Sequence, residues 1–241
     1  MLKEIGSVFS FLTIFPSSNS SLENIARYMF VFPVVGIVIG LLIGSMGFGL
    51  SFFLEPVLVG LLVVASIAII TGIHHADGLA DFADGLMVKG SKAKKLEAMK
   101  DLSTGSAGIV AIVLYLIGLI LVISLTSGFD LFKGLLISEI LAKFSMVLMA
   151  SLGRSASLGS NSPFVELMKD KKKFFAAFFI MLIPVIAIGG TAGIVMLVVT
   201  TVLTLFILLM STRSFGGITG DVFGATNEFT RLASLMVYVS I

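Results

Sequence analysis

The sequence predicts an all-α fold: a polytopic integral membrane bundle of six or seven transmembrane helices with a cytoplasmic N-terminus. Three observations predict it. The chain is 57% hydrophobic and only 12% charged, with a mean hydropathy of +1.13, too apolar for an ordinary water-soluble globular domain. Apolar stretches of about 20 residues, the length that crosses about 30 Å of hydrocarbon, recur along it. Lys and Arg gather in alternate connections. No linker-like segment divides the 241 residues, so the chain is expected to be one integral membrane domain, with residues 1–28 forming an interfacial helix and loop and 29–241 the bundle.

The first element, Met1 to Pro16, is faintly similar to a signal peptide, but Glu4 follows Lys3 and no small-residue cleavage site follows Phe15. An interfacial helix fits better. Spans are then expected at Met29–Phe53, Val57–His75, Ala107–Ser127, Leu131–Ser151, Phe174–Gly190 and Ala192–Thr212. A seventh, Phe223–Ile241, is compromised by Asn227, Glu228 and Arg231. The short connections at Glu55–Pro56, Gly128–Asp130 and Gly190–Thr191 carry no Lys or Arg, whereas the long ones hold Lys89 to Lys100, Arg154 with Lys169 to Lys173, and Arg213 with Arg231. The positive-inside rule places the long connections, and the N-terminus, in the cytoplasm.

Candidate chemistry concentrates between the second and third spans. His74, Asp77, Asp81 and Asp84 are separated by three, four and three residues, which aligns them as one stripe on a helix. Three like charges at this spacing repel one another, and each carboxylate near the membrane costs roughly 2.5–3.5 kcal/mol on insertion scales. A divalent cation would reverse that cost. With no cysteine and two histidines, any metal site must rest on carboxylates, and oxygen-only ligands on an open face suit Mg²⁺ or Mn²⁺ shared with substrate phosphates. The competing reading is a solvated helix end. Gly78 and Gly85, directly after two of the aspartates, leave room for a backbone, metal or ligand. The loop Met99 to Ser106 opens the next span, where Gly105 and Ser106 would form a phosphate cradle and Asp101 would join the metal set. Alternatively, Ser103 or Ser106 simply caps that helix. Glu139 and Lys143, four apart inside a span, read as a buried pair or a ligand contact. Arg154 suits phosphate or carboxylate recognition or topology setting, and Gly216 to Asp221, with Thr219, forms a flexible turn bearing an acid and a hydroxyl.

These motifs resemble the cobalamin synthase family, the adenosylcobinamide-GDP ribazoletransferases, along nearly the whole chain. The resemblance rests on Phe11-Leu12-Thr13 with Pro16, Phe32-Pro33-Val34-Val35-Gly36 with Gly40, and the segment Thr71 to Gly85. It extends through Met99-Lys100-Asp101 with Gly105, and Gly216 to Asp221 with Gly224-Ala225 and Glu228. Ser103, Lys143 and Ile73 depart from the arginine, arginine and glycine that the family pattern leads one to expect. The resemblance implies attack by the 5′-hydroxyl of α-ribazole, or of its 5′-phosphate, on adenosylcobinamide-GDP, with release of GMP and a requirement for Mg²⁺. On this reading Asp77, Asp81, Asp84 and Asp101 hold the metal, and one of them or His74 orients or deprotonates the hydroxyl. Gly78, Gly85, Gly105, Ser106, Lys143, Arg154, Thr219 and Asp221 would contact substrates. The implied partners are the two substrates and the bilayer; a homo-oligomer is compatible, and no nucleic acid is expected.

Rival readings are weaker. A CDP-alcohol phosphotransferase would need an arginine where Asp81 stands, and a prenyltransferase a second carboxylate-rich helix. A transporter would hold its charges near mid-bilayer rather than at one face. The carboxylate stripe is expected to line the largest cytoplasmic cavity, with Asp101 within coordination reach.

Overall fold

The computed structural model describes residues 2–16, 21–156 and 162–241, so residue 1 and residues 17–20 of the N-terminal segment lie outside the described residues. Two short helices, α1 (Leu2–Leu12) and α2 (Leu22–Arg27), precede the bundle. Eleven residues rise only about 16 Å, too little to cross the membrane. The end of α1 is pinned to the bundle where the Ile14 amide donates to the carbonyl of Ile70 at 2.8 Å. A 3-10 turn at Met29–Val31 leads into α3 (Phe32–Leu50), followed by α4 (Pro56–Thr71), α5 (His74–Met87), α6 (Lys92–Ala98) and α7 (Ser106–Ser124). Then come α8 (Gly128–Leu152), α9 (Ser162–Leu167), α10 (Lys171–Phe215) and α11 (Gly220–Ser240). Among the described residues, Met29–Leu50, Ser106–Ser124, Gly128–Leu152 and Lys171–Phe215 are each long and apolar enough to cross a membrane. A fifth results if Pro56–Thr71 and His74–Met87, bent by 93°, count as one span. The molecule is a helical membrane bundle.

Close approach of α3 to α8 follows from glycine spacing. A Cβ added at Gly36 would lie 2.6 Å from the Glu139 carbonyl oxygen, and one at Gly40 2.8 Å from the Leu136 Cα. Small residues on one stripe let the two backbones touch, and in lipid such packing drives association in place of a hydrophobic force. The 45 residues of α10 would extend about 67 Å as one straight helix, far more than a membrane is thick. Instead, Gly190 takes φ 52 and ψ −129, and a Cβ at Gly193 would collide with the carbonyl of Val185, eight residues earlier. The chain therefore reverses there, and α10 is two antiparallel limbs, matching the two spans that the sequence predicts on either side of Gly190.

One expected boundary is corrected, and the doubtful last element takes a definite form. The second span ends at Thr71 rather than continuing to His75, because Gly72 (φ 66, ψ 21) and Ile73 (φ 66, ψ −12) both adopt left-handed backbone and turn the chain through a corner. The compromised seventh element is a continuous helix of 21 residues, though it is not among the described helices apolar enough to cross a membrane; Arg231, read as part of the last positive connection, lies within it, fully buried. Running antiparallel to α8, α11 brings Asn227 against Lys143, Arg231 against Glu139, and Tyr238 against Gly134. Its polar residues are tolerated because they are paired inside the bundle. The Tyr115 hydroxyl and Arg231 both donate to Glu228, Arg231 also donates to the Tyr115 hydroxyl at 2.8 Å, and Asn227 donates to Glu228 at 2.9 Å. Glu139, Lys143 and Arg231 are fully buried.

The Lys-rich connections converge at one end of the bundle. Lys92 Nζ donates to the Thr212 carbonyl at 3.4 Å, Lys95 Nζ to the Leu86 carbonyl at 3.1 Å, and Arg154 Nε to the Gly216 carbonyl at 3.0 Å. At the opposite end Lys133 pairs with Asp130 at 2.5 Å.

Candidate functional site

The site is built on α5, which the Gly72–Ile73 corner turns away from the spanning direction of α4. Its buried face consists of His75, Gly78, Leu79, Phe82 and Gly85, packed toward α11, α7 and α6. The opposite face carries His74 and Asp77, both exposed, with Asp81 and Asp84 half-buried, so the predicted stripe exists as one face of one helix. The two glycines accommodate protein backbone: a Cβ at Gly78 would lie 3.0 Å from the Asp221 Cα, and one at Gly85 would strike Met99 and approach the Lys95 carbonyl.

Asp84 has a role that its spacing does not reveal. Its two oxygens accept hydrogen bonds from the amides of Gly105 at 2.7 Å and Gly108 at 2.9 Å, at the start of α7. A carboxylate there satisfies two of the helix's unpaired amides and meets the positive end of its dipole. Hence the predicted phosphate cradle at Gly105 and Ser106 is occupied by the protein's own anion, and the cap comes from Asp84 rather than Ser103 or Ser106. A Cβ at Gly105 would sit 2.5 Å from Asp84 Oδ1, which explains the glycine.

Asp101 lies exposed on the loop before α7, where it accepts from the Ser103 amide at 2.9 Å. Among the described residues no three His, Asp or Glu side chains converge as preformed metal ligands. The carboxylates nonetheless act on one another. The Asp81 carboxyl is pushed up to about 6, first by partial burial and then by the negative charges of Asp221, Asp77 and Asp84. Asp221, placed by sequence reasoning among substrate contacts, therefore joins the acidic row from the far end of the chain.

Its position follows from local chemistry. Residues 154–156 form a short parallel pairing with 218, in which the Ile218 amide donates to the Arg154 carbonyl at 2.8 Å and the Ala156 amide to the Ile218 carbonyl at 2.9 Å. Thr219 then caps α11, accepting from the Val222 amide at 3.2 Å while its hydroxyl donates to Asp221 Oδ2 at 3.2 Å. Arg154, exposed, thus steadies the turn that presents Asp221 through its bond to Gly216. Lys143 stands elsewhere: fully buried, it donates to Asn227 Oδ1 at 2.7 Å, so its place is in the internal polar network and not on a substrate-facing surface.

A cavity of about 500 Å³ lies beside this end of α5, between α1, α3, α8, α9 and the start of α11. The stripe was expected to line the largest cytoplasmic cavity; of its residues only His74 lines this one, joined by His75 and Asp221. The reason is rotational. Asp84 is turned to α7, and Asp77 faces outward, while the cavity opens on the corner end of α5. Sequence reasoning missed its aromatic wall of Phe11, Phe32, Phe164 and Phe223, which belongs to four separate elements.

The fold and site together define a polytopic helical membrane protein that carries an acidic row beside a cavity of about 500 Å³ at its Lys-rich end. The chain belongs to the cobalamin-5-phosphate synthase family, whose model matches residues 4–239. It is 35% identical to the adenosylcobinamide-GDP ribazoletransferase of Methanocella arvoryzae, over 98% of this chain and 95% of the relative. The proteins of that name from Archaeoglobus fulgidus (34% identical, 98% and 96% covered) and Geotalea daltonii (33%, 100% and 98%) are similar over the same extent. No solved structure matches the chain.

Proposed function

We propose that this protein is an adenosylcobinamide-GDP ribazoletransferase, transferring the adenosylcobinamide phosphoryl group to a free ribose hydroxyl of α-ribazole or of its 5′-phosphate; because the 5′-oxygen of the latter is already esterified, the attacking group common to both acceptors is a ring hydroxyl of the ribose. The hydroxyl oxygen forms the new bond to the phosphorus bearing adenosylcobinamide, the diphosphate bridge breaks, and GMP departs with the bridging oxygen. The hydroxyl proton passes to a carboxylate of the acidic row or to His74. Full-length family membership supports the reaction, and one structural observation carries its location: the open α5 face, where Asp77, Asp81 and Asp84 share one electrostatic field with Asp221.

The donor set fits Mg²⁺ or Mn²⁺. These residues offer only oxygens, and their mutual repulsion is the force that a cation would relieve. Mg²⁺ commonly takes one or two carboxylates and completes its shell with water and substrate phosphates, so an open row without a closed triad suits it. Asp77 and Asp81 would hold it, flanked by Asp221, with the unused lone pairs of Asp84 and the exposed carboxylate of Asp101 as further oxygens. Bound there, the ion would neutralise charge on the diphosphate. The carboxylates orient the donor, and the Asp84–α7 contact keeps the row fixed to the bundle.

The protein is further proposed to be a multi-pass cell-membrane protein with the Lys-rich end, and hence the site, in the cytoplasm. To test the reaction, protein in nanodiscs is supplied with adenosylcobinamide-GDP, α-ribazole and Mg²⁺, and GMP is followed by chromatography. GMP release dependent on all three is expected. No GMP from the wild type, or undiminished release after Asp81→Ala, overturns the proposal.

A further inference from the structure

The cavity and the acidic row meet at Asp221, which lines the one and acts on the other. Apart from that junction they differ in chemistry. Phe11, Phe32, Phe164 and Phe223 surround the cavity, with Phe11 and Phe164 stacked at 5.5 Å and Phe164 set edge-on to Phe223 at 6.4 Å. Flat aromatic walls suit a planar ring system, held by stacked and edge-to-face contacts. At the other end stand His74, His75 and Asp221, polar groups able to engage sugar hydroxyls. His75 is buried, and its Nδ1 has no hydrogen-bond partner; Glu228 lies 3.9 Å away.

Size assigns the occupant. A volume of about 500 Å³ lies within the range of roughly 300–1,000 Å³ typical of pockets for drug-sized ligands. A benzimidazole nucleoside belongs to that size class. A corrinoid carrying a nucleotide is several times larger and cannot enter. Resting on the function proposed above, we infer that this cavity is the acceptor pocket: the aromatic wall stacks the nucleoside base, and the His74–Asp221 end presents the ribose to the acidic row, where the donor's diphosphate lies outside the cavity. Phe164 and Phe11 are then determinants of base specificity, and the α1 helix forms part of the acceptor site.

Gly220 supplies a clean test. It lines the cavity at the first position of α11, and a Cβ added to it would meet nothing within 4 Å, so a larger side chain can enter the cavity without displacing the protein. Binding of α-ribazole alone to the wild type, Gly220→Leu and Phe164→Ala is measured by calorimetry in nanodiscs, alongside KM for each substrate in the GMP assay. Expected are measurable binding by the wild type, a loss of about tenfold or more in both variants, and a matching rise in KM for α-ribazole with KM for adenosylcobinamide-GDP unchanged. Unaltered α-ribazole binding in Gly220→Leu, or a shift confined to the donor's KM, overturns the pocket assignment while leaving the function standing. Failure of the wild type to release GMP sinks the function itself, and absence of α-ribazole binding sinks the pocket whether or not GMP appears. Wild-type-like thermal melting of Gly220→Leu separates blocked binding from misfolding.

Discussion

Two groups of ionised side chains share α11 and are treated in opposite ways. Deep in the bundle, Glu139 and Glu228 face Lys143 and Arg231, with Tyr115 and Asn227 completing the hydrogen bonds, so two negative charges meet two positive ones and little is left unpaired. At the Lys-rich end, Asp77, Asp84 and Asp221 all act on Asp81, and among the described residues no cationic side chain is seated between them; Asp84 is met by the amides of α7 and Asp221 by the Thr219 hydroxyl. Both arrangements are costly in isolation. The buried group has been neutralised from within, which is what a structural network requires; the acidic row has no cationic side chain of its own, the arrangement that the binding site proposed above would use.

That contrast is testable, and the largest effect is expected in the network. Arg231→Met leaves Glu228 buried without its cation and Glu139 with Lys143 alone, and thermal unfolding of the purified protein in detergent should show a loss of about 3–5 kcal/mol. Melting like the wild type would show that the network is not structural. Adding Glu228→Gln to that variant should recover part of the loss.

Asp81→Asn should do the reverse, lowering GMP release about a hundredfold or more while the protein melts at or above the wild-type temperature. The pH dependence follows with a definite sign. Because the Asp81 carboxyl titrates near 6 in the folded protein against 3.8 for the ordinary group, the folded state is penalised when Asp81 is charged. That penalty is fully present above about 6 and disappears as pH falls toward 3.8, so without divalent cation stability should rise between pH 7 and pH 5. Saturating Mg²⁺ should flatten this rise, as should Asp81→Asn. A rise that neither treatment alters would detach Asp81 from any cation role.

Smaller effects should come from the two features that fix α5 in place. Asp84→Asn keeps acceptor oxygen near α7 but removes the charge, and should cost about 1 kcal/mol in thermal or denaturant unfolding. Ile73 is β-branched at positive φ, a backbone state favourable only to glycine. Ile73→Gly should therefore gain about 1 kcal/mol, the relief of strain being partly offset by the greater freedom of glycine in the unfolded chain. A loss instead would mean that the exposed isoleucine makes contacts in the membrane surface that outweigh its strain.

The same contrast explains how far the sequence could be read. Periodicity alone placed His74, Asp77, Asp81 and Asp84 on one face, since that property depends only on helical spacing. The hairpin within α10 was legible at Gly190. What escaped depended on distant partners. Asp84 looks the same as Asp81 until α7 is seen to aim two amides at it. Composition made α11 look too polar, because the residues that neutralise it sit on α7 and α8. Asp221 read as part of a turn, yet the pairing of 154–156 with 218 carries it to α5. The corner at Ile73 was hidden because isoleucine predicts continuation, although the family pattern's glycine at that position had hinted at a turn.

The reversal at Gly190 has a further consequence for where chemistry can happen. Between Asp84 and Asp221 the chain traverses the bundle along α7, α8 and the two limbs of α10, an even number of passages, so both carboxylates emerge in the same compartment. One fewer turn would deliver Asp221 to the opposite side. A glycine about a membrane's thickness from the site thus decides whether the two halves of the acidic row can ever meet.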